Sequence, residues 1–247
     1  MTTPADTDHR RLEWEACLNV RDLGGLPIAG GGDTRWGAVV RADLLTHLTP
    51  AGREAMVRYG VRTVIDLRGP HEVSEEPVLP TLPEGIAYHN LPLEEYDPEV
   101  SARISAATSR GEVYALILDH YPAAAARALR AVIAAGPGGV VIHCAAGKDR
   151  TGIVSAFLLG LAGVREEAIV ADYAVSDVNL MPQYIADREA GLVDDASIWR
   201  RPTATPEQMR ALLDHLHERY GGMEGYLRRA GLEADEIERL KRVLRPA

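Results

Sequence analysis

Apolar residues recur along this chain in two rhythms. Ile153, Val154, Phe157, Leu158 and Leu161 fall three or four apart, the spacing of one buried helix face. Met209, Leu212, Leu213, Leu216 and Tyr220 repeat it behind Thr205-Pro206-Glu207-Gln208, a capping box with proline at the first helical position; Ile237, Leu240 and Leu244 do so again. Further helices are predicted over 113–121 and 123–135, with Pro122 as a kink or restart, over 165–175, and over a short stretch opened by Thr49-Pro50 and closed at Gly60. The other rhythm is a set of apolar runs too short for helices, at 61–67, 86–93 and 140–142, which read as strands. Residues 12–20 read as the first strand, followed by the glycine-rich turn at 30–33 and a hairpin return through Trp36 to Arg41.

Helical stretches alternating with short strands predict an α/β fold, with a mostly parallel central sheet flanked by helices in a single domain over 1–247. Residues 1–10 are polar and predicted to fray. Pro77, Pro80 and Pro83 punctuate a loop, and 94–109 is polar and loop-like. Residues 176–203 are the least regular long stretch, either a surface excursion or part of a lid; with the helix that follows they make 176–220 a candidate lid.

Composition narrows the partners. A formal charge of −9 argues against a nucleic-acid or membrane-surface binder, so no nucleic acid and no stable membrane insertion are expected. Cys17 and Cys144 are the only cysteines, which suggests neither a disulfide scaffold nor a thiolate zinc site. His215 and His217 project from different helix faces, so neither metal nor cofactor is expected. Residues 1–14 lack the apolar core of a signal peptide, and the apolar run 152–164 is too short to span a bilayer. The cytoplasm is the default compartment, although export without a cleaved signal leaves no such mark.

One stretch carries the chemistry. The strand 140–142 ends at His143-Cys144, a tight turn Ala145-Ala146-Gly147 follows, and a helix begins near Arg150. A loop entering a helix N-terminus offers unpaired backbone N–H groups and the positive end of the helix dipole, an anion site before any side chain contributes. Five residues separate Cys144 from Arg150, so the turn can aim a thiol and a guanidinium at one point. Lys148 adds a second cation, and the local positive field favours thiolate over thiol. Thr151 is placed to donate a hydroxyl hydrogen bond to Cys144. The amides of Ala145, Ala146, Gly147, Lys148, Asp149 and Arg150 thus become a candidate phosphate cradle, with Cys144 the nucleophile and His143 ordering the turn. A rhodanese-like sulfur-transfer loop has a similar curl, but gives no reason for the Lys-Asp-Arg-Thr run.

His143-Cys144-x5-Arg150 resembles the signature of cysteine-dependent protein-tyrosine phosphatases. The Gly147-Lys-Asp-Arg-Thr-Gly152 version is similar to the bacterial atypical phosphatases of the mycobacterial tyrosine-phosphatase-B type. Asn19-Val-Arg21-Asp22-Leu-Gly24-Gly25, Val40-Arg41-Ala-Asp43 and Val64-Ile-Asp66-Leu-Arg68 resemble upstream segments of the same family. The resemblance implies a tyrosine-phosphatase-like fold with mobile helices over the site, and a phosphocysteine intermediate. It also implies phosphotyrosine as substrate, with phosphoserine, phosphothreonine and phosphoinositides as wider options. A phosphate-binding pseudophosphatase or adaptor is the rival from another class.

A tyrosinate leaving group benefits from protonation as it departs. Asp149, inside the loop, is the first candidate acid, its alternative roles being to orient Arg150 or cap the helix. Asp66, at the carboxyl end of the strand 61–67, is the second, against a salt bridge with Arg68 or a helix cap; Asp97 is a third, against a solvated loop carboxylate. Arg21 and Asp22 read either as a surface ion pair or as packing near the loop, and Asp172 and Tyr173 read as structural.

Overall fold

The computed structural model describes residues 9–78, 81–192 and 203–246. Five strands form one sheet: β1 (Arg21–Asp22), β2 (Val39–Ala42), β3 (Val61–Asp66), β4 (Ala87–Asn90) and β5 (Gly139–His143), in the order β1-β2-β5-β3-β4. Only β1 runs antiparallel; β2, β5, β3 and β4 are mutually parallel. Register puts Ala42, His143, Asp66 and Asn90 in one row at the carboxyl edge, where ligands gather in parallel α/β sheets.

Strand residues alternate between two apolar layers, as the period of two requires. Val140, Ile142 and Ile65 enter the larger core, and Val141, Val64 and Val40 the smaller. The smaller layer is closed by Trp14, Leu45, Leu48 and Met56 around helix α1 (Pro50–Arg58). Thr49 caps α1, its side chain accepting the Gly52 N–H at 3.1 Å. The larger layer holds α4 (Arg110–His120), α5 (Pro122–Ala134), α6 (Asp149–Ala162), α7 (Glu166–Glu189), α8 (Pro206–Tyr220), α9 (Met223–Arg229) and α10 (Ala234–Val243). Two shorter helices, α2 (Pro70–Glu75) and α3 (Pro98–Ala106), follow β3 and β4.

The α6 helix explains why the 144–150 loop has a fixed base. Eleven of its fourteen residues are buried, so it runs through the core rather than over it. A left-handed Gly163, φ 96°, ends it. The α8 stripe Met209, Leu212, Leu213 and Leu216 is buried against α4 and α7, behind the predicted capping box.

Four expectations change. Residues 12–20 are not a strand: they run as turns and bends, flanked by the isolated bridge of Arg11 to Arg21. Their amides go elsewhere, Leu18 and Asn19 donating to the Asp43 carboxylate at 2.9 and 2.8 Å. The stretch 94–109 contains α3, because Asp97 accepts the Glu99 and Val100 N–H groups and starts a helix. The helix predicted to stop at 175 continues to Glu189 through an internal Pro182; beyond Ser176 it has no buried residue, so no apolar period signalled it. The seven-residue α9 has no predicted counterpart. The candidate lid includes residues 193–202, which lie outside the described residues.

Candidate active site

The loop from Cys144 to Arg150 joins β5 to α6, and its carbonyls are tied from outside. Leu44 N–H donates to Ala145 O at 3.0 Å. Asn19 Nδ2 donates to Ala146 O at 2.9 Å and Gly147 O at 3.2 Å, and Arg41 Nη2 donates to Gly147 O at 2.9 Å. These contacts fix the carbonyl side of the loop. Gly147 has φ +62°, and a Cβ there would sit 2.3 Å from Ala42 O. Only glycine fits that contact. Cys144 is 2% exposed, and Thr151 Oγ1 donates to its Sγ at 3.2 Å.

Behind the loop is a buried ionic hub. Asp172 on α7 receives Arg10 at 2.8 Å, Arg21 at 3.1 Å and Arg41 at 2.6 Å, all four side chains being 1% exposed. Burial alone would raise the Asp172 carboxyl, but the three guanidiniums overwhelm it and hold it far below the carboxylate range. Burial, with Arg41 adjacent, pulls Arg21 down to about 9. Arg21 and Asp22 therefore do not form a surface pair. Arg21 also donates to Asn19 Oδ1 at 2.7 Å, while the Asp22 carboxylate accepts from Gly24 and Gly37 N–H and from the Tyr59 hydroxyl. Asn19, Arg41 and Asp43 form the bracket that shapes the loop, and Asp172 anchors it.

The remaining loop side chains divide into two groups. Asp149, the first residue of α6, accepts from Arg110 Nη1 at 3.0 Å and Tyr114 Oη at 2.5 Å and lies 3.6 Å from Lys148 Nζ. Burial opposes its charge, but Lys148 and Arg110 prevail and hold its carboxyl below the ordinary value. This clamp favours the ionised form of Asp149. Tyr114 Oη lies 2.5 Å from Tyr173 Oη, which donates to Gln208 Oε1 at 2.9 Å, linking Asp149 to α8.

Arg150 instead forms a fork with Glu72 on α2, at 2.5 and 2.8 Å, and has Glu94 at 3.8 Å. Burial alone would raise Glu72; Arg150 and the Gly69 N–H outweigh it and hold Glu72 down. Desolvation lowers Arg150, but Glu72, Cys144 and Glu94 push it above its ordinary value. These acids come from segments that no local pattern links to the loop. Glu72 carries only a helix-start signal, as the third residue of α2, its Oε2 accepting the Gly69 N–H.

The other sequence candidates stand as follows. Asp66 is fully buried, accepts two oxygens' worth of contacts from Arg68 Nε and Nη2 at 2.8–3.2 Å, and accepts the Tyr88 hydroxyl at 2.9 Å. It takes the salt-bridge role. Asp97 is the α3 cap. His143 is buried, with Nδ1 3.1 Å from Cys144 O and Nε2 3.6 Å from Asp66; burial pushes it below its ordinary value. Cys17 Sγ donates to Asp43 Oδ1 at 2.7 Å, and burial, then Asp43, pushes its thiol well up. A cavity of about 330 Å³ lined by Arg35, Arg239 and Arg242 lies at the amino edge of β5, away from this chemistry. Among the described residues, no group of three or more His, Cys, Asp and Glu side chains could hold a metal ion, and no helix is long and apolar enough to cross a membrane.

Residues 12–245 match the tyrosine phosphatase family. The chain belongs to that family. A tyrosine-protein phosphatase from Nostoc commune is 36% identical over 218 residues, covering 83% of this chain and 73% of the relative. The triple specificity protein phosphatase PtpB of Mycobacterium tuberculosis is 31% identical over 280 residues, covering 94% of this chain and 98% of PtpB. Membership spans the sheet, the loop and the helices, and it makes the chain a cysteine-dependent phosphatase.

Proposed function

We propose that the Cys144 thiolate attacks the phosphorus of phosphotyrosine while Arg150 and the amides of the 145–150 loop hold the non-bridging oxygens. An S–P bond forms, the P–O bond to the leaving group breaks, and water then hydrolyses the phosphocysteine, regenerating the thiolate and releasing phosphate. Thr151 stabilises the sulfur charge in both steps. The observation that carries this reading is the convergence, at the N-terminus of one buried helix, of the Thr151-bonded thiol and the Arg150 fork. Substrate phosphate replaces the Glu72 carboxylate on that fork, one anion exchanging for another.

Phosphoserine, phosphothreonine and phosphoinositides extend the substrate range on the same chemistry. The mycobacterial relative, a triple specificity protein phosphatase, supports a range wider than one substrate class. Lys148, 2% exposed beside Asp149, supplies local positive charge for a multiply phosphorylated headgroup. The test is a panel of phosphotyrosine, phosphoserine, phosphothreonine and phosphoinositides at matched enzyme concentration with EDTA present. Phosphotyrosine turnover is expected to lead and to resist EDTA. Cys144→Ser should cut turnover by on the order of 10⁴-fold or more while vanadate still binds; appreciable turnover by the pure variant would end the covalent mechanism. A chain that binds vanadate but turns over no aryl phosphate would be the pseudophosphatase instead.

A further inference from the structure

Four oxygens run in a line from the loop carboxylate to α8. Asp149 Oδ1 lies 2.5 Å from Tyr114 Oη, Tyr114 Oη lies 2.5 Å from Tyr173 Oη, and Tyr173 Oη lies 2.9 Å from Gln208 Oε1. Tyr114 and Tyr173 are 0% and 1% exposed. Gln208 Oε1 also accepts the Thr205 N–H at 3.1 Å, which turns the amide oxygen, an acceptor only, toward Tyr173.

Each hydroxyl brings one hydrogen, so an ionised Asp149 leaves two hydrogens for three contacts. Tyr114 then turns its hydrogen to the carboxylate, and Tyr173 can serve Tyr114 or Gln208 but not both. One pair of oxygens meets with no hydrogen between them, which is unfavourable in a buried setting. A proton on Asp149 Oδ1 completes the line: Asp149 donates to Tyr114, Tyr114 to Tyr173, and Tyr173 to Gln208. Arg110 Nη1 still donates to Oδ1 at 3.0 Å in that arrangement.

Of the sequence candidates for the leaving-group acid, Asp66 is taken up by Arg68 and Tyr88 and Asp97 by the start of α3, which leaves Asp149. Its second oxygen lies 3.6 Å from Lys148 Nζ, an ammonium close enough to Cys144 to feel its charge, so carboxyl and thiol share one pocket. We propose that Tyr114, Tyr173 and Gln208 are positioning residues that keep a proton on Asp149 for the departing oxygen. The proposal rests on Cys144 being the nucleophile.

Lys148 and Arg150 from the loop, Arg110 and Tyr114 from α4, Tyr173 from α7 and Glu94 from beyond β4 face the Asp149 carboxyl. Burial, Glu94 and an arriving phosphate dianion favour its proton, and the three cations oppose it. The hydrogen count of the line acts with the first group. In the first step the S–P bond forms and the P–O electron pair leaves on oxygen, which takes the Asp149 proton; Tyr114 swings its hydrogen onto the carboxylate. In the second step water attacks phosphorus and gives a proton to Asp149, the S–P electrons return to sulfur, and Tyr114 swings back. One water is consumed and Asp149 ends protonated, as it began.

The experiment measures kcat and kcat/KM across pH, on aryl phosphates with good and poor leaving groups. It compares wild type, Tyr114→Phe, Tyr173→Phe, Asp149→Asn and the Tyr173→Phe/Asp149→Asn double variant. Asp149→Asn is expected to lose about 10²- to 10⁴-fold on poor leaving groups, far less on good ones, and the basic limb of the profile. Either tyrosine change removes the contact that only a protonated Asp149 completes. The basic limb should therefore move to lower pH by up to about one unit, the contribution of one hydrogen bond, and the rate on poor leaving groups above that limb should fall by up to about tenfold. A Tyr114 that merely donates to the carboxylate would move the limb to higher pH instead. Tyr173→Phe should cost nothing more on poor leaving groups once Asp149 is Asn, because it acts through that carboxyl. A limb that stays or rises in either tyrosine variant, a wild-type limb in Asp149→Asn, or additive losses in the double variant would overturn the assignment. Phosphocysteine trapped at Cys144 by acid quench would keep the cysteine mechanism intact whichever way the limb moves; its absence from wild type and Asp149→Asn alike would remove the nucleophile on which the proposal rests.

Discussion

The wall behind the loop and the mouth in front of it are both built from arginines and carboxylates, yet they are built to different ends. In the wall, Arg10, Arg21 and Arg41 meet Asp172 with every side chain 1% exposed. At the mouth, Arg150 is 14% exposed and its partners Glu72 and Glu94 are 38% and 35% exposed. Removing one member of a dry cluster strands the others, whereas a partly solvated pair can be exchanged at small cost. The wall therefore fixes the carbonyl side of the loop, and the proposed mechanism has the guanidinium at the mouth trade its carboxylate for a phosphate.

The contrast predicts a descending series of effects. Asp172→Asn leaves three buried guanidiniums without their anion and should cost about 3–5 kcal/mol, read as a lower denaturant midpoint. A loss no larger than that of a surface substitution would mean that the wall is not a locked cluster. Because the Asp172 carboxyl is depressed on folding, its contribution is present above its unfolded value of about 4 and is lost as pH falls below that, through the folded value. The variant should accordingly show a flatter acid limb of stability than wild type, and an identical limb would argue against the linkage.

Gly147→Ala comes next. It imposes a left-handed alanine, about 1–3 kcal/mol of backbone strain, and drives a methyl against Ala42 O. Both stability and kcat should fall, and an unchanged kcat would show that the loop tolerates a shift away from β2. The smallest effect is expected at the mouth. Glu72→Gln removes the resident anion from Arg150, and inorganic phosphate, measured as a competitive inhibitor, should bind roughly tenfold tighter or less, in line with a partly exposed ion pair of about 1 kcal/mol. Weaker binding would mean that Glu72 chiefly orients Arg150 rather than competing with the ligand.

How much of this was legible in the sequence depended on how local each feature is. The β5–loop–α6 unit is one continuous segment in which strand, glycine, thiol and guanidinium follow in order, so its chemistry could be read directly. The Thr205-Pro206 capping box similarly announced α8. Glu72 and Glu94 were not legible as site residues because their approach to Arg150 depends on β3 and β4 lying beside β5, a tertiary fact. Residues 12–20 looked like a strand because Leu12, Trp14, Leu18 and Val20 are spaced by two or four; the Asp43 carboxylate took the amides that a ladder would have used. Arg21 and Asp22, adjacent in sequence, point to different partners on opposite sides of β1, which their order along the chain does not reveal.

The hydrogen bond from Arg41 to Gly147 spans 106 positions. A chain emerging from the ribosome has the bracket long before it has the loop, and the parallel pairing of β2 with β5 must wait for both. Loops closed over such distances form late and slowly. Until they close, Cys144 belongs to a segment whose carbonyls are not yet tied to Asn19 and Arg41. Catalytic competence should therefore appear in one of the last steps of folding, after much of the secondary structure has formed.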